Sequence, residues 1–157
     1  MQLDTERGLD HGAWSVLQAM YQAADVPVLQ LSLDRTRNVP SHYELAKKLL
    51  PLREQRVLIV GSGNILHNLR VFNFYETRGC DWAIAFDQTV MNCIGQKDHA
   101  ALCDYSKFGQ MAALSIPTAE HYLSLLYVLA QQQDGEPLRF FNPEVTSSIS
   151  MRSLQIG

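Results

Sequence analysis

Apolar and polar positions along this chain follow two periods, and the switches between them divide it into elements. Over residues 12–23 the apolar positions Trp14, Leu17 and Met20 keep a helical spacing. Residues 26–33 read as a buried strand, with Pro27 near its start, where a missing amide proton matters least. Ser41 is expected to cap a helix running to Gln55, with Glu44 completing a capping box and Pro51 interrupting the helix. Residues 57–61 read as a second buried strand. An amphipathic helix is expected over residues 81–94, then a short one over 99–105. Thr118 should cap an apolar helix over 119–132, and residues 136–141 and 148–156 read as strands.

This order predicts an α/β chain, a three-layer α/β/α arrangement with a mixed central sheet. The pattern supplies only about four strands, two of them apolar enough to need cover on both faces. A sheet that small leaves an edge in need of a partner strand. The chain, residues 1–157, therefore reads as a single domain that is one portion of a larger unit.

Composition narrows the partners. A chain of 157 residues, 46% hydrophobic and 18% charged, has the make-up of a soluble globular domain. Its net charge of −3 and the lack of a basic cluster argue against nucleic acid. Its apolar runs are too short for a membrane span. The start, Met1 to Arg7, lacks the basic and apolar regions of a signal peptide, so a cytoplasmic location is expected. Cys80, Cys93 and Cys103 are odd in number and show no CxxC spacing, which favours reduced thiols over disulfides or a zinc knuckle.

The candidate chemistry centres on histidines. The run Val57-Leu-Ile-Val-Gly-Ser-Gly-Asn-Ile-Leu-His67-Asn68 takes an apolar strand through two glycines to a titratable side chain. Ligands favour that place in an α/β sheet, and glycines allow sharp turns and close approach. His67 is thus a candidate ligand or proton acceptor, with Asn64 and Asn68 able to orient it or a bound molecule; the alternative is an ordinary polar loop. His121 opens an apolar helix, so it must be hydrogen-bonded in the core or bound to something, with Glu120 beside it as a second donor. His11 follows Asp10, which would cap the first helix. That leaves His11 either a surface residue or a proton donor and substrate contact. His42 is expected in solvent. His99 and Cys103 have the spacing of a metal pair, yet such pairs arise often by chance. Gly61-Ser-Gly lacks the third glycine of a dinucleotide fingerprint, Leu66 standing in its place, and Ser62 lacks the surroundings of a hydrolase nucleophile.

Four motifs in order resemble one family. They are Leu9-Asp-His-Gly-Ala-Trp14, Gly61-Ser-Gly-Asn-Ile-Leu-His-Asn-Leu-Arg70, Pro117-Thr-Ala-Glu-His-Tyr-Leu-Ser-Leu-Leu-Tyr127 and Ser150-Met-Arg-Ser-Leu-Gln-Ile-Gly157. Together they resemble the class III extradiol ring-cleavage dioxygenases, in the 4,5-DOPA dioxygenase-like branch. The resemblance implies an oxidoreductase of aromatic metabolism that opens a catechol-type, DOPA-like dihydroxyphenyl ring with O2. It also implies a divalent metal, Fe(II) or Zn(II). By the same resemblance, His67 would stand at the metal as base or ligand, His121 would be a metal ligand, and His11 would contact substrate or assist proton transfer.

The family's N-terminal portion, with a Gly-His-Gly-type motif and a second histidine, has no counterpart here, so the chain is expected to match the C-terminal portion of such a dioxygenase. His67 and His121 alone would fall short of the three protein ligands expected of a catalytic metal. Self-association, or a partner supplying the N-terminal ligands, would complete the site. The alternative is a catalytically inactive remnant or interaction domain of the same fold.

Overall fold

The computed structural model describes residues 4–157. Residues 1–3, part of the start read for a signal sequence, lie outside the described residues. Two compact units divide the chain, one ending at Asp34 and the other spanning Arg35–Gly157. In the first, helix α1 spans His11–Met20 and Asp10 caps it, its carboxylate accepting the Ala13 amide at 3.0 Å. The Gln30 side chain holds this cap in turn. It accepts the Asp10 amide at 3.0 Å and donates to the Asp10 carboxylate.

Six helices follow in the second unit: α2 (Val39–Lys47), α3 (Pro51–Glu54), α4 (Asp81–Gly95), α5 (His99–Cys103), α6 (Gln110–Ser115) and α7 (Glu120–Leu129). A 3-10 turn at Tyr105–Phe108 joins α5 to α6. Pro51 does interrupt the helix expected around it, since α2 ends at Lys47 and α3 restarts at the proline. The cap, however, is Asn38 and not Ser41: the Asn38 side chain accepts the Ser41 amide at 3.0 Å. Pro40 then falls in the first turn, where no helical hydrogen bond is lost. This earlier start places His42 inside α2 and against the core. The histidine expected in solvent is only 1% exposed, its Nδ1 lying 3.0 Å from the Tyr127 hydroxyl of α7. Thr118 does not cap α7 either; its hydroxyl donates to the Glu120 carboxylate at 2.7 Å.

Helical spacing explains the core. Ala83, Phe86, Val90 and Ile94 recur three and four apart on α4 and are fully buried. Tyr122, Leu123, Leu126, Tyr127 and Leu129 give α7 the broad apolar surface of a central helix, and α2 packs against it. Burying a side chain the size of Phe86 or Leu126 stabilises the fold by about 1.5–3 kcal/mol. The Tyr122 hydroxyl meets the Leu102 carbonyl at 3.0 Å, so this buried polar group is satisfied.

Strands enter late. β1 (Leu138–Phe141) pairs antiparallel with β4 (Ser153–Ile156), Leu138 opposite Ile156; β2 (Val145–Thr146) pairs with β3 (Ile149–Ser150). Helices and strands thus share one chain, as the α/β reading expects, and the strands described form two separate two-stranded antiparallel sheets in place of one central sheet. The segments 26–33 and 57–61, expected as buried strands, carry no strand pairing, and Val28, Leu29, Val57 and Leu58 are exposed. The physical reason is that a strand depends on its neighbour. Their apolar pattern asks for a ladder that no other segment among the described residues supplies. The three cysteines are free thiols, and burial pushes the Cys93 and Cys103 thiols up. Among the described residues no helix is long and apolar enough to cross a membrane.

Candidate metal and substrate site

Glycine sets the geometry of the His67 loop. A Cβ on Gly61 would sit 2.5 Å from the Ser124 carbonyl oxygen of α7, and one on Gly63 would strike the His121 carbonyl oxygen. Neither glycine has a positive φ. They are needed for close approach to α7, not for a turn that other residues avoid. This contact brings the loop against the first turn of α7.

Beyond the glycines the backbone is tied on both sides of His67. The Leu66 carbonyl accepts the Ser150 amide at 3.2 Å, the His67 amide donates to the Ser115 carbonyl at 3.0 Å, and the Asn68 amide donates to the Ser148 carbonyl at 3.1 Å. The Ser148 hydroxyl donates to the Asn68 carbonyl at 2.6 Å. His67 is therefore fixed by α6 on one side and the β2–β3 hairpin on the other.

The outcome is a pair of stacked imidazoles. The rings of His67 and His121 lie 3.9 Å apart between centroids at an interplanar angle of 18°. His121 Nδ1 is buried without a hydrogen-bond partner. Burial pushes the His121 pKa down and neighbouring His67 adds to that, with Glu120 opposing. An imidazole held neutral keeps a lone pair free, the state a metal ligand requires. A buried, unpartnered nitrogen on this half-buried ring is also the kind of orphan that a bound cation would satisfy. The two donors therefore fit a divalent cation, although among the described residues no group of three His, Cys, Asp or Glu side chains converges to hold one.

The other candidates are placed as follows. Glu120 is turned to Thr118; burial raises its carboxyl, but the Thr118 hydroxyl, its own backbone amide and the charges of His121 and Arg35 hold it below the usual range. Asn64 donates to the Ser150 carbonyl at 2.7 Å. Asn68 is buried and its amide is committed to backbone, donating to the Leu114 carbonyl at 2.7 Å and accepting the Arg70 amide at 3.1 Å. His11 lies in the first unit, exposed at the start of α1, its ring centroid 5.1 Å from that of Trp14.

An open groove of about 830 Å³ in the second unit is lined by Tyr43, Lys47, His99, Cys103 and Tyr105 and by none of His67, His121, Asn64 and Asn68. Within it the Tyr43 hydroxyl lies 2.6 Å from His99 Nδ1. Burial pushes the His99 pKa down, with Gln132 opposing and Lys97 assisting. The unfolded chain protonates His99 near its usual value of about 6.5, while the folded chain resists until the pH is lower. Stability from this residue is thus complete above that value and lost as pH falls through the window beneath it. Urea midpoints measured from about pH 7.5 to about pH 5 should decline, and His99→Gln should flatten part of that decline.

Sequence reasoning missed the supports of His67: Ser115, Ser148, Ser150, Asp87 and Arg152. One signal was available. Asp87 is a lone acid on the apolar face of α4 beside Phe86 and Val90, and a charge there needs a buried partner.

Comparison with known proteins identifies the family. A profile of the catalytic LigB subunit of aromatic ring-opening dioxygenase matches residues 1–148. The chain is 38% identical to the Escherichia coli K12 4,5-DOPA dioxygenase extradiol across 99% of its own length, and 35% identical to that of Beta vulgaris across 78%. The crystal structure of an uncharacterized Escherichia coli K12 protein superposes with a TM-score of 0.91 at 38% identity, over 99% of this chain and 66% of that one. The chain belongs to the LigB family of aromatic ring-opening dioxygenases. It spans 59% of the Escherichia coli relative and 46% of the Beta vulgaris one.

Proposed function

We propose that this chain carries half of the metal centre of an extradiol dioxygenase, which opens a catechol-type, DOPA-like ring with O2. The observation that supports this most is the stacked His67–His121 pair, with a buried, unpartnered nitrogen on His121. Relatives named 4,5-DOPA dioxygenase extradiol supply the substrate class.

His67 and His121 would hold the cation, Fe(II) or Zn(II). When bound, such an ion supplies charge stabilisation and brings the ring hydroxyls and dioxygen into one place. The rest is work for side chains. A catechol hydroxyl must lose its proton to become a good ligand, and His67 would be the base for that step where its lone pair stands beside the cation instead of on it. His121 stays neutral in its buried setting and so keeps its lone pair. Asn64, half-exposed beside the loop, would orient substrate. Asn68 would act by holding the loop. The remaining ligands would come from a partner or from a further portion of polypeptide. Three free thiols suit a reducing, cytoplasmic setting.

The second reading is a domain that keeps the fold without the reaction. Oxygen uptake separates the two. Completed with the N-terminal segment of the Escherichia coli relative and loaded with Fe(II), the chain should consume O2 with a dihydroxyphenyl substrate and yield a ring-opened product. His67→Ala should slow turnover by about 10²–10⁴-fold. No uptake across a panel of catechols would favour the second reading.

A further inference from the structure

A buried carboxylate on α4 connects to the His67 loop through the closing segment of the chain. Asp87 Oδ2 accepts Arg152 Nε at 2.8 Å and Nη2 at 2.7 Å, and its Oδ1 accepts the Ser150 hydroxyl at 2.7 Å. Side-chain exposures of 11% for Arg152 and 3% for Asp87 mark a desolvated pair. The Arg152 amide also donates to Ser150 Oγ at 3.1 Å, so Ser150 is gripped by both partners. The Ser150 backbone in turn holds the loop from two sides, its amide donating to the Leu66 carbonyl and its carbonyl accepting Asn64 Nδ2. Ile149 bridges to His67 itself.

Each contact in this series is local, and together they run from Asp87 to the imidazole pair. Buried ion pairs add little net stability compared with apolar replacements of the same volume. The hydrogen bonds around this one define a fixed geometry, which an apolar pair would lack. Groups behind a ligand fix its ring, and the affinity of a site depends on that.

We propose that Asp87, acting with Arg152 through Ser150, is a positioning residue that holds His67 in register with His121. The inference rests on the metal-site reading for its functional meaning, but the ring geometry can be measured without metal. Neither Asp87 nor Ser150 would touch cation or substrate; they act through the backbone that carries His67.

The test uses the 157-residue chain and the variants Ser150→Ala and Asp87→Asn. In the metal-free protein, two rings stacked at 3.9 Å shift each other's C–H proton resonances and give ring-to-ring cross-relaxation. Both signals should be lost or strongly reduced in either variant, with the circular dichroism spectrum retained. Zn(II) affinity by calorimetry should fall about 10–100-fold. Glu136→Gln is the control. It weakens an ion pair with Arg53 elsewhere in the unit, so it should lower the thermal midpoint and leave the ring signals in place. If Asp87→Asn does not fold, Ser150→Ala decides, since it removes one hydroxyl and leaves the ion pair. Ring signals equal to wild type in folded Ser150→Ala would overturn the proposal. Wild-type chain that shows the ring signals but takes up no Zn(II) would count against the metal reading alone, and the ring comparison would still decide the positioning role.

Discussion

Asp87→Ala is expected to destabilise the chain by about 3–5 kcal/mol, the range for leaving one member of a buried ion pair alone. The substitution strands the Arg152 guanidinium, 11% exposed, and deprives the Ser150 hydroxyl of its acceptor. Arg152 has little access to water to compensate. The companion double variant Asp87→Leu with Arg152→Met removes both charges and fills similar volume, so it should recover most of the loss. Urea unfolding followed by circular dichroism measures all three proteins. Equal stability of Asp87→Ala and wild type would mean that the pair is solvated, against the burial seen here. The expected contrast is between stability and geometry: the double variant should fold well and still lack the His67–His121 ring signals.

The second large effect is expected at Gly63. Alanine there drives a methyl group into the His121 carbonyl oxygen and to 2.5 Å from the Ser124 hydroxyl oxygen. Backbone φ is not the obstacle. The obstacle is the first turn of α7, whose carbonyl cannot move without tilting the helix. Overpacking of this kind costs about 1–3 kcal/mol. Because the displaced atom belongs to His121, metal uptake should weaken beyond what the stability loss explains. Gly95 provides the comparison. It ends α4 with nothing within 4 Å of an added Cβ, so Gly95→Ala should stabilise the chain by about 0.4–1 kcal/mol. Thermal unfolding of the two variants side by side would reveal opposite signs. The same sign for both would show that contact with α7 is not what Gly63 provides.

Local signals in the chain were legible where they suffice to fix structure. The apolar stripes of α4 and α7, the Asp10 cap and the break at Pro51 each depend on residues a few positions apart, and each is where the sequence places it. The start of α2 shows the limit. Asn38 and Ser41 are both good caps, and the cap at Asn38 seats Pro40 in the first turn, where its fixed φ is already helical. That small shift turned His42 from a surface residue into a core one. The segments 26–33 and 57–61 failed as strands for another reason, because pairing depends on a neighbour that local pattern does not contain. At the site, His67 and His121 stood out because imidazoles near glycines or in an apolar helix need explanation. Their supports did not: the serines acquire meaning only once the closing segment is folded back onto α4, and the lone aspartate asks for a buried partner without naming it.

Metal stoichiometry bears most directly on the central claim, that His67 and His121 together hold a cation. The purified chain would be loaded anaerobically with Fe(II) or Zn(II), freed of excess metal and assayed by elemental analysis beside His67→Ala and His121→Ala. The account predicts about one metal per chain, lost in both variants, with water completing the coordination that the two imidazoles begin. No uptake by the wild-type chain, or equal uptake by all three proteins, would contradict it.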